Sequence, residues 1–202
     1  MAALFPSTEY IAESLAFRAA LRREKLAARI ALDKNAHETR AAGLEAHLAT
    51  LLMPLPPKVL AFCAPVRGEF DARPLASLLI ERGWQAVMPV VEAADAPMSF
   101  RTWTPSSAMT TDRYGIPIPL GGQEVLPDIV LLPLVAFDPQ GFRLGYGGGY
   151  FDRTLGSLVP RPLAIGVGFE LARVADIRPQ AHDIPLDAVV TEAGIERSPK
   201  PR

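Results

Sequence analysis

From residue 8 to about 32 the chain carries no Gly or Pro and is rich in Ala, Leu, Arg and Glu, a pattern that predicts a helix. Phe17, Leu21, Ala28 and Leu32 fall on one stripe of that helix. A second helix is expected over 36–52, with Asn35 and Glu38 at the spacing of a capping box and Leu44, Leu48, Leu51 and Leu52 as its buried side. The prolines of 54–57 stop it, and the two helices are expected to pack as an N-terminal hairpin. From Lys58 the pattern switches to short apolar runs alternating with helical stretches. Strands are expected over 58–66, 85–91, 128–137 and 163–169, with a short last one over 188–191. A helix over 74–82 has Pro in its first turn and Gly83 beyond its end. Residues 98–103 read as an extra strand that is exposed or antiparallel. Strands that are apolar throughout and separated by helices imply a mainly parallel sheet covered on both faces.

Composition keeps this picture and narrows it. At 202 residues, 49% hydrophobic and 21% charged, the chain suits one domain, 1–202, with a basic helix at 8–32 and a disordered tail from about 196. The formal net charge of −1 gives no global reason to expect nucleic acid or a membrane as partner. No run reaches transmembrane length and no leader pattern opens the chain, so a soluble cytoplasmic protein is expected. The single cysteine, Cys63, excludes a disulfide framework and sits in an apolar run, as a buried core thiol would.

Charge matters locally. Arg18, Arg22, Lys25 and Arg29 form one strip on the first helix with no acid among them. Such a strip is either a solvated basic face or a set of cations lent to a bound phosphate. His37 and His47 read as surface residues. In parallel sheets, ligands gather beyond the carboxyl ends of the strands. Three loops qualify: 67–71, the segment after the third strand, and the chain from Glu170. Glu69 and Asp71 are either functional or plain loop acids, and Asp71 is a candidate N-cap.

The densest of these loops is Arg143-Leu144-Gly145-Tyr146-Gly147-Gly148-Gly149-Tyr150-Phe151-Asp152-Arg153, preceded by the turn Asp138-Pro139-Gln140-Gly141. Glycines let backbone amides approach an anion, and a helix N-terminus adds partial positive charge. It is not a phosphate loop of the Walker type, which needs a Lys and a hydroxyl that are absent here. Nor is it a dinucleotide fingerprint, because the third glycine position falls on Tyr150. Arg143 and Arg153 supply charge for phosphate oxygens, and Asp152 is either a magnesium ligand or an acid paired with Arg153.

These residues carry a resemblance. The segment 133–138, Gly141 and the run 143–153 resemble the signature of the 5-formyltetrahydrofolate cyclo-ligase family, also called methenyltetrahydrofolate synthetase. The likeness extends to Arg18 and Arg22, Gly68 to Asp71, Met88 to Val91, Tyr114 to Pro117, His182 to Asp187 and Val190 to Glu192. It implies a Rossmann-like three-layer α/β/α fold and an enzyme that uses ATP and Mg²⁺ to turn 5-formyltetrahydrofolate, mono- or polyglutamylated, into 5,10-methenyltetrahydrofolate. By the same resemblance, Arg18, Arg22, Arg143, Leu144, Gly145, Tyr146, Gly147, Gly148, Gly149, Tyr150, Phe151 and Asp152 bind ATP. Arg143 and Tyr150 are catalytic. Glu69, Tyr114, Gly147, Gly148, Gly149, Tyr150 and Phe151 meet the folate, and Asp152 with Asp187 holds the metal. His182 reads as structural. The family normally has lysine where this chain has Arg18, which keeps the charge but changes its shape. The rivals are a non-catalytic folate- or nucleotide-binding relative, and an ATP-dependent enzyme acting on another formylated substrate.

Overall fold

Successive residues along a strand send side chains to opposite faces, and in the computed structural model, which describes residues 8–199, this alternation divides the core in two. The chain runs α1 (Thr8–Ile30), α2 (Lys34–Leu52), β1 (Val59–Ala61), α3 (Arg73–Glu81), β2 (Gln85–Val90), β3 (Ser99–Trp103), β4 (Met109–Thr111), β5 (Pro117–Pro119) and β6 (Ile129–Pro133). It continues through β7 (Ala136–Phe137), β8 (Arg143–Leu144), α4 (Tyr150–Ser157), β9 (Leu163–Val167), β10 (Ala188–Thr191) and β11 (Gly194–Arg197). Leu60, Met88, Ile129, Leu131, Ile165 and Val190 point to one face, where they meet Leu44, Leu48 and Leu52 of α2 and Leu75 and Leu79 of α3. Ala61, Val87, Val130, Leu132, Ala164 and Val189 point to the other, under Leu155 of α4. The result is the expected three-layer α/β/α arrangement.

The main sheet has seven strands in the order β11-β10-β9-β6-β1-β2-β3. Its five central strands are parallel, while β3 and β11 are antiparallel edges. The extra strand at 98–103 is therefore antiparallel, as one of its two readings had it. The end of the chain differs from expectation. Residues 194–197 pair with β10, and the Ser198 N–H donates to the Asp187 carbonyl, so Glu196 and Arg197 are strand rather than disordered tail. The rest of that expectation, from residue 200 on, lies outside the described residues.

Two of the expected strands stop well short of their apolar runs. The run 128–137 leaves the main sheet after Pro133, which has no N–H to continue a ladder. The Val135 N–H instead meets the Leu144 carbonyl, and β7 folds against β8 around a turn closed from the Gly141 N–H to the Asp138 carbonyl. The run 58–66 is strand only to Ala61, although the Phe62 N–H still donates to Val87. Cys63 is partly screened, and burial raises its thiol pKa, which fits an unreactive core position.

The N-terminal helices part company instead of packing simply as a hairpin. α2 lies on the sheet, against β10 and β11. α1 packs on β7 and the turn Glu170–Ala172, over a small separate core of Leu21, Ala136, Leu144 and Ile177. It thus lies beyond the carboxyl ends of the strands. The break between the two helices is set by Asp33, not by Asn35. The Asp33 backbone is extended and its carboxylate accepts the Ala36 N–H at 2.8 Å, so α2 begins at Lys34. Neither histidine of α2 is a plain surface residue. His37 Nε2 donates to the Gly68 carbonyl, and His47 Nδ1 meets the Thr191 carbonyl.

Replacing the true cap, Asp33→Ala, is expected to cost about 1 kcal/mol in urea unfolding. Asn35→Ala is expected to stay within about 0.5 kcal/mol of the parent. The reverse order would restore the capping box at 35–38.

Candidate functional site

Three segments meet at the carboxyl rim under α1: the loop 67–71 after β1, the hairpin and glycine loop after β6, and the turn after β9. The cations of α1 are what joins them. Arg22 Nε donates to the Gly145 carbonyl at 2.8 Å. Lys25 Nζ donates to the carbonyls of Leu171 and Arg173. Arg29 is buried and donates to the carbonyls of Arg67 and Leu134, both at 3.0 Å, and to the Tyr146 hydroxyl at 2.6 Å. Arg18 is buried too, and both of its terminal nitrogens grip the Asp183 carboxylate. The strip without acids is therefore not a solvated face. Its charge rests on loop carbonyls and on two acids far along the chain, Glu69 beside Arg29 and Asp183 beside Arg18.

The glycine loop is shaped for exposed amides. Gly147 has φ 102° and Gly149 φ 64°, both in the left-handed region that side chains disfavour, and Gly149 leads directly into α4. A Cβ at Gly149 would meet the Arg153 guanidinium at 2.9 Å. Arg153 closes the loop by donating to the Gly148 carbonyl and lies over the Tyr150 ring, 5.0 Å from its centre. Its ion partner is the exposed Asp95 at 3.6 Å, while Asp152 is held elsewhere. Arg143 Nη2 donates to Asp152 at 3.1 Å, and its Nη1 donates to the Ile184 carbonyl. Burial lowers the Arg143 pKa against the pull of Asp152, so this guanidinium is a desolvated charge beside the loop.

Glu69 is buried below the same loop. Its Oε1 accepts the Tyr146 hydroxyl at 2.6 Å, its Oε2 accepts the Val66 N–H, and Arg29 stands 3.6 Å away. Burial nevertheless outweighs these partners and raises the Glu69 pKa. Burial and the carboxylate push the Tyr146 hydroxyl up in turn, so it stays a donor. A chain of bonds thus runs from Arg29 through Tyr146 to Glu69. Asp71 looks away from it, accepting the Arg73 N–H and pairing with the Arg73 guanidinium just before α3.

The other expected residues divide into three groups. Tyr114, at the tip of the β4–β5 hairpin, shares a 2.6 Å hydroxyl contact with Tyr150 across the mouth of the glycine loop. Leu144 is fully buried and Phe151 packs on the core under α4, so they offer the site little beyond backbone and position. Asp187 shares no hydrogen-bond partner with Asp152 among the described residues. It stands at the amino end of β10, where Arg161 and the Ala164 N–H occupy both of its oxygens. The acid that the structure does bring in is Asp183. Burial works to raise its pKa, but Arg18 and the Gln180 N–H prevail and hold it below the ordinary value. Asp183 falls within the segment 182–187 and Arg29 within the basic strip; only their long-range partners distinguish them.

The family model described as the 5-formyltetrahydrofolate cyclo-ligase family matches residues 15–192. The chain belongs to that family. It is 35% identical over 158 residues to the 5-formyltetrahydrofolate cyclo-ligase of Escherichia coli K12, covering 73% of this chain and 87% of that one. It is also similar to the solved structure of Aquifex aeolicus 5,10-methenyltetrahydrofolate synthetase, with a TM-score of 0.77, 30% identity and coverage of 92% and 95%. The Mycoplasma pneumoniae 5,10-methenyltetrahydrofolate synthetase structure gives a TM-score of 0.70 at 25% identity, with 87% and 98% covered.

The position of Glu69 yields a pH test. A carboxyl whose folded pKa is raised contributes stability below its ordinary value near 4.5 and loses it as pH rises through the folded value. Urea unfolding of Glu69→Gln beside the parent is expected to favour the variant increasingly as pH rises from that point. A difference that does not move with pH would contradict the burial argument.

Proposed function

We propose that this chain converts 5-formyltetrahydrofolate to 5,10-methenyltetrahydrofolate at the expense of ATP, releasing ADP and phosphate. The observation that carries this reading is the placement of an amide-rich loop, Arg22, Arg143 and Asp152 beside the buried Glu69, within a family whose relatives bear that activity in their names. The polyphosphate would lie on the amides of Gly145 to Gly149 at the start of α4. Arg143 is held by Asp152 and the Ile184 carbonyl before any substrate arrives, so its charge is oriented without further rearrangement. Such transfers rest on positioning and charge stabilisation more than on covalent help.

The formyl oxygen attacks the γ-phosphorus, the bond to the ADP oxygen breaks, and an imidate phosphate forms on N5. N10 then attacks the formyl carbon, loses its proton to solvent, and phosphate departs with the former formyl oxygen. Glu69 would hold the polar edge of the pterin, because a buried carboxylate can accept two N–H bonds from it. Tyr146 and Arg29 fix that carboxylate in place. Tyr150, with Tyr114 against it, would cover the reacting groups.

Magnesium fits the residues present. Among the described residues no cluster of three or more His, Cys, Asp or Glu could cage a metal. Mg²⁺ needs only one or two carboxylates, with phosphate and water supplying the rest. Asp152 is in the first turn of α4 beside the loop, and both of its bonds go through Oδ1, so Oδ2 has no hydrogen-bond partner among the described residues. Asp152 would hold the ion, and Asp183, whose charge also acts on Arg143, is a candidate second acid once it leaves Arg18. Asp187 would first have to leave Arg161 and Ala164. When bound, the ion would draw charge from the phosphate oxygens.

Mixing the protein with 5-formyltetrahydrofolate and Mg-ATP is expected to raise absorbance at the methenyl band, and none should appear without ATP. Asp152→Asn should lower turnover by on the order of 10²-fold while urea unfolding shows a folded chain. A folded parent that forms no methenyl product would refute the proposal, and full activity in Asp152→Asn would refute the assigned metal ligand.

A further inference from the structure

The peptide plane between Gly148 and Gly149 has no side chain on either flank. It turns through ψ of one glycine and φ of the next, and no Cβ limits either rotation. Both edges of that plane could therefore meet an anion, and they differ in sign. A trans peptide is planar and sends its C=O and N–H in opposite directions, so turning the carbonyl toward an anion withdraws the amide. Something must choose. Arg153 Nη2 donates to the Gly148 carbonyl, and the Arg153 backbone N–H donates to the Gly149 carbonyl at 3.1 Å. Two successive carbonyls are thus turned onto one residue of α4. The N–H groups of Gly149 and Tyr150 face the other way, and neither has an acceptor among the described residues.

This clamp is built into the start of α4. The Arg153 guanidinium covers the Tyr150 ring, and a Cβ at Gly148 would meet that same ring at 2.9 Å, so loop, ring and guanidinium are stacked. Thr154 Oγ1 donates to the Tyr150 carbonyl at 2.7 Å and accepts the Met98 N–H at 2.9 Å, which fixes this turn against the segment before β3. Asp95 competes weakly for Arg153, because it is 3.6 Å away and its side chain is 92% exposed. Arg153 Nε is buried without an acceptor, so Nη2 carries the polar contacts of the guanidinium. We infer that Arg153 is a positioning residue: it pins the Gly148–Gly149 peptide with its amide toward the polyphosphate and does not itself touch phosphate. This rests on the nucleotide reading of the glycine loop above. Without Arg153 the plane can flip, and a carbonyl oxygen then stands where phosphate oxygens arrive. A loop that is competent about a tenth of the time binds about tenfold more weakly.

Two measurements test this together: calorimetry with ADP and Mg²⁺ in the absence of folate, and amide nitrogen relaxation of the nucleotide-free chain out to the millisecond range. Arg153→Met keeps a long side chain against Tyr150 and removes the donor, while Arg153→Lys keeps a donor. Both residues suit a helix, and urea unfolding checks that each variant is folded. Arg153→Met should bind ADP about tenfold more weakly, and Arg153→Lys should return to within about threefold of the parent. In Arg153→Met the amides of Gly148, Gly149 and Tyr150 should gain motion that the parent and Arg153→Lys lack. A merely structural arginine would lower the unfolding midpoint and leave both readouts alone. Loop amides as quiet in Arg153→Met as in the parent would overturn the clamp even if ADP affinity fell, since the lost contact would then be with phosphate itself. Equal ADP affinity in the parent and Arg153→Met would overturn it as well. A folded parent that binds no ADP would sink the nucleotide reading of the loop, and the amide motion alone would then decide the clamp.

Discussion

Everything at the rim depends on where Arg29 puts its guanidinium. It is a buried cation whose donors reach the backbone of two loops and the hydroxyl of a third segment, tying together β1's loop, the exit from β6 and the glycine loop. Desolvating a guanidinium is costly unless its donors are satisfied. Here carbonyls supply most of that satisfaction, and a planar fork with five donors can serve several acceptors at once where an ammonium could not. The same device recurs along α1, with Arg22 on Gly145 and Lys25 on Leu171 and Arg173. α1 buries little apolar surface of its own on the rim, and its docking is largely this polar stitching over a four-residue core.

That construction explains how one site can face two chemistries. Tyr146 belongs to the glycine loop but donates to Glu69, so the loop that would cradle phosphates also fixes the carboxylate that would hold a pterin. On the other side of the loop, Arg143 and Asp152 are matched to each other and to Ile184, which brings the segment before β10 into the same network. Charges are thus oriented in advance, Glu69 by Tyr146 and Arg143 by Asp152 and the Ile184 carbonyl, and the loop itself can remain open for ligand.

The layers were legible because periodicity reports burial directly. Continuous apolar runs gave the parallel strands, and the glycine segment was distinctive enough to carry the family resemblance. What failed were features decided by partners far along the chain. The run 128–137 reads as one strand, but its second half pairs with β8 once Pro133 ends the ladder. Asn35 and Asp33 are equally plausible caps on paper, and only backbone geometry selects Asp33. Residues 194–197 form an edge strand on β10, although the adjacent charges Glu196 and Arg197 and the prolines beyond them read by composition as a tail. In the site, Asp183 and Asp187 stand four positions apart in one segment. Their roles separate through Arg18 and Arg161, contacts no local pattern encodes.

The central claim is that α1 and the glycine loop act as one unit through the bond from Arg29 to Tyr146. A double-mutant cycle of Arg29→Gln and Tyr146→Phe, read by urea unfolding, measures it most directly. A coupling of about 1 kcal/mol or more is expected, because each change removes the other's partner in a buried network. Additivity within about 0.5 kcal/mol would mean that the two side chains merely lie side by side.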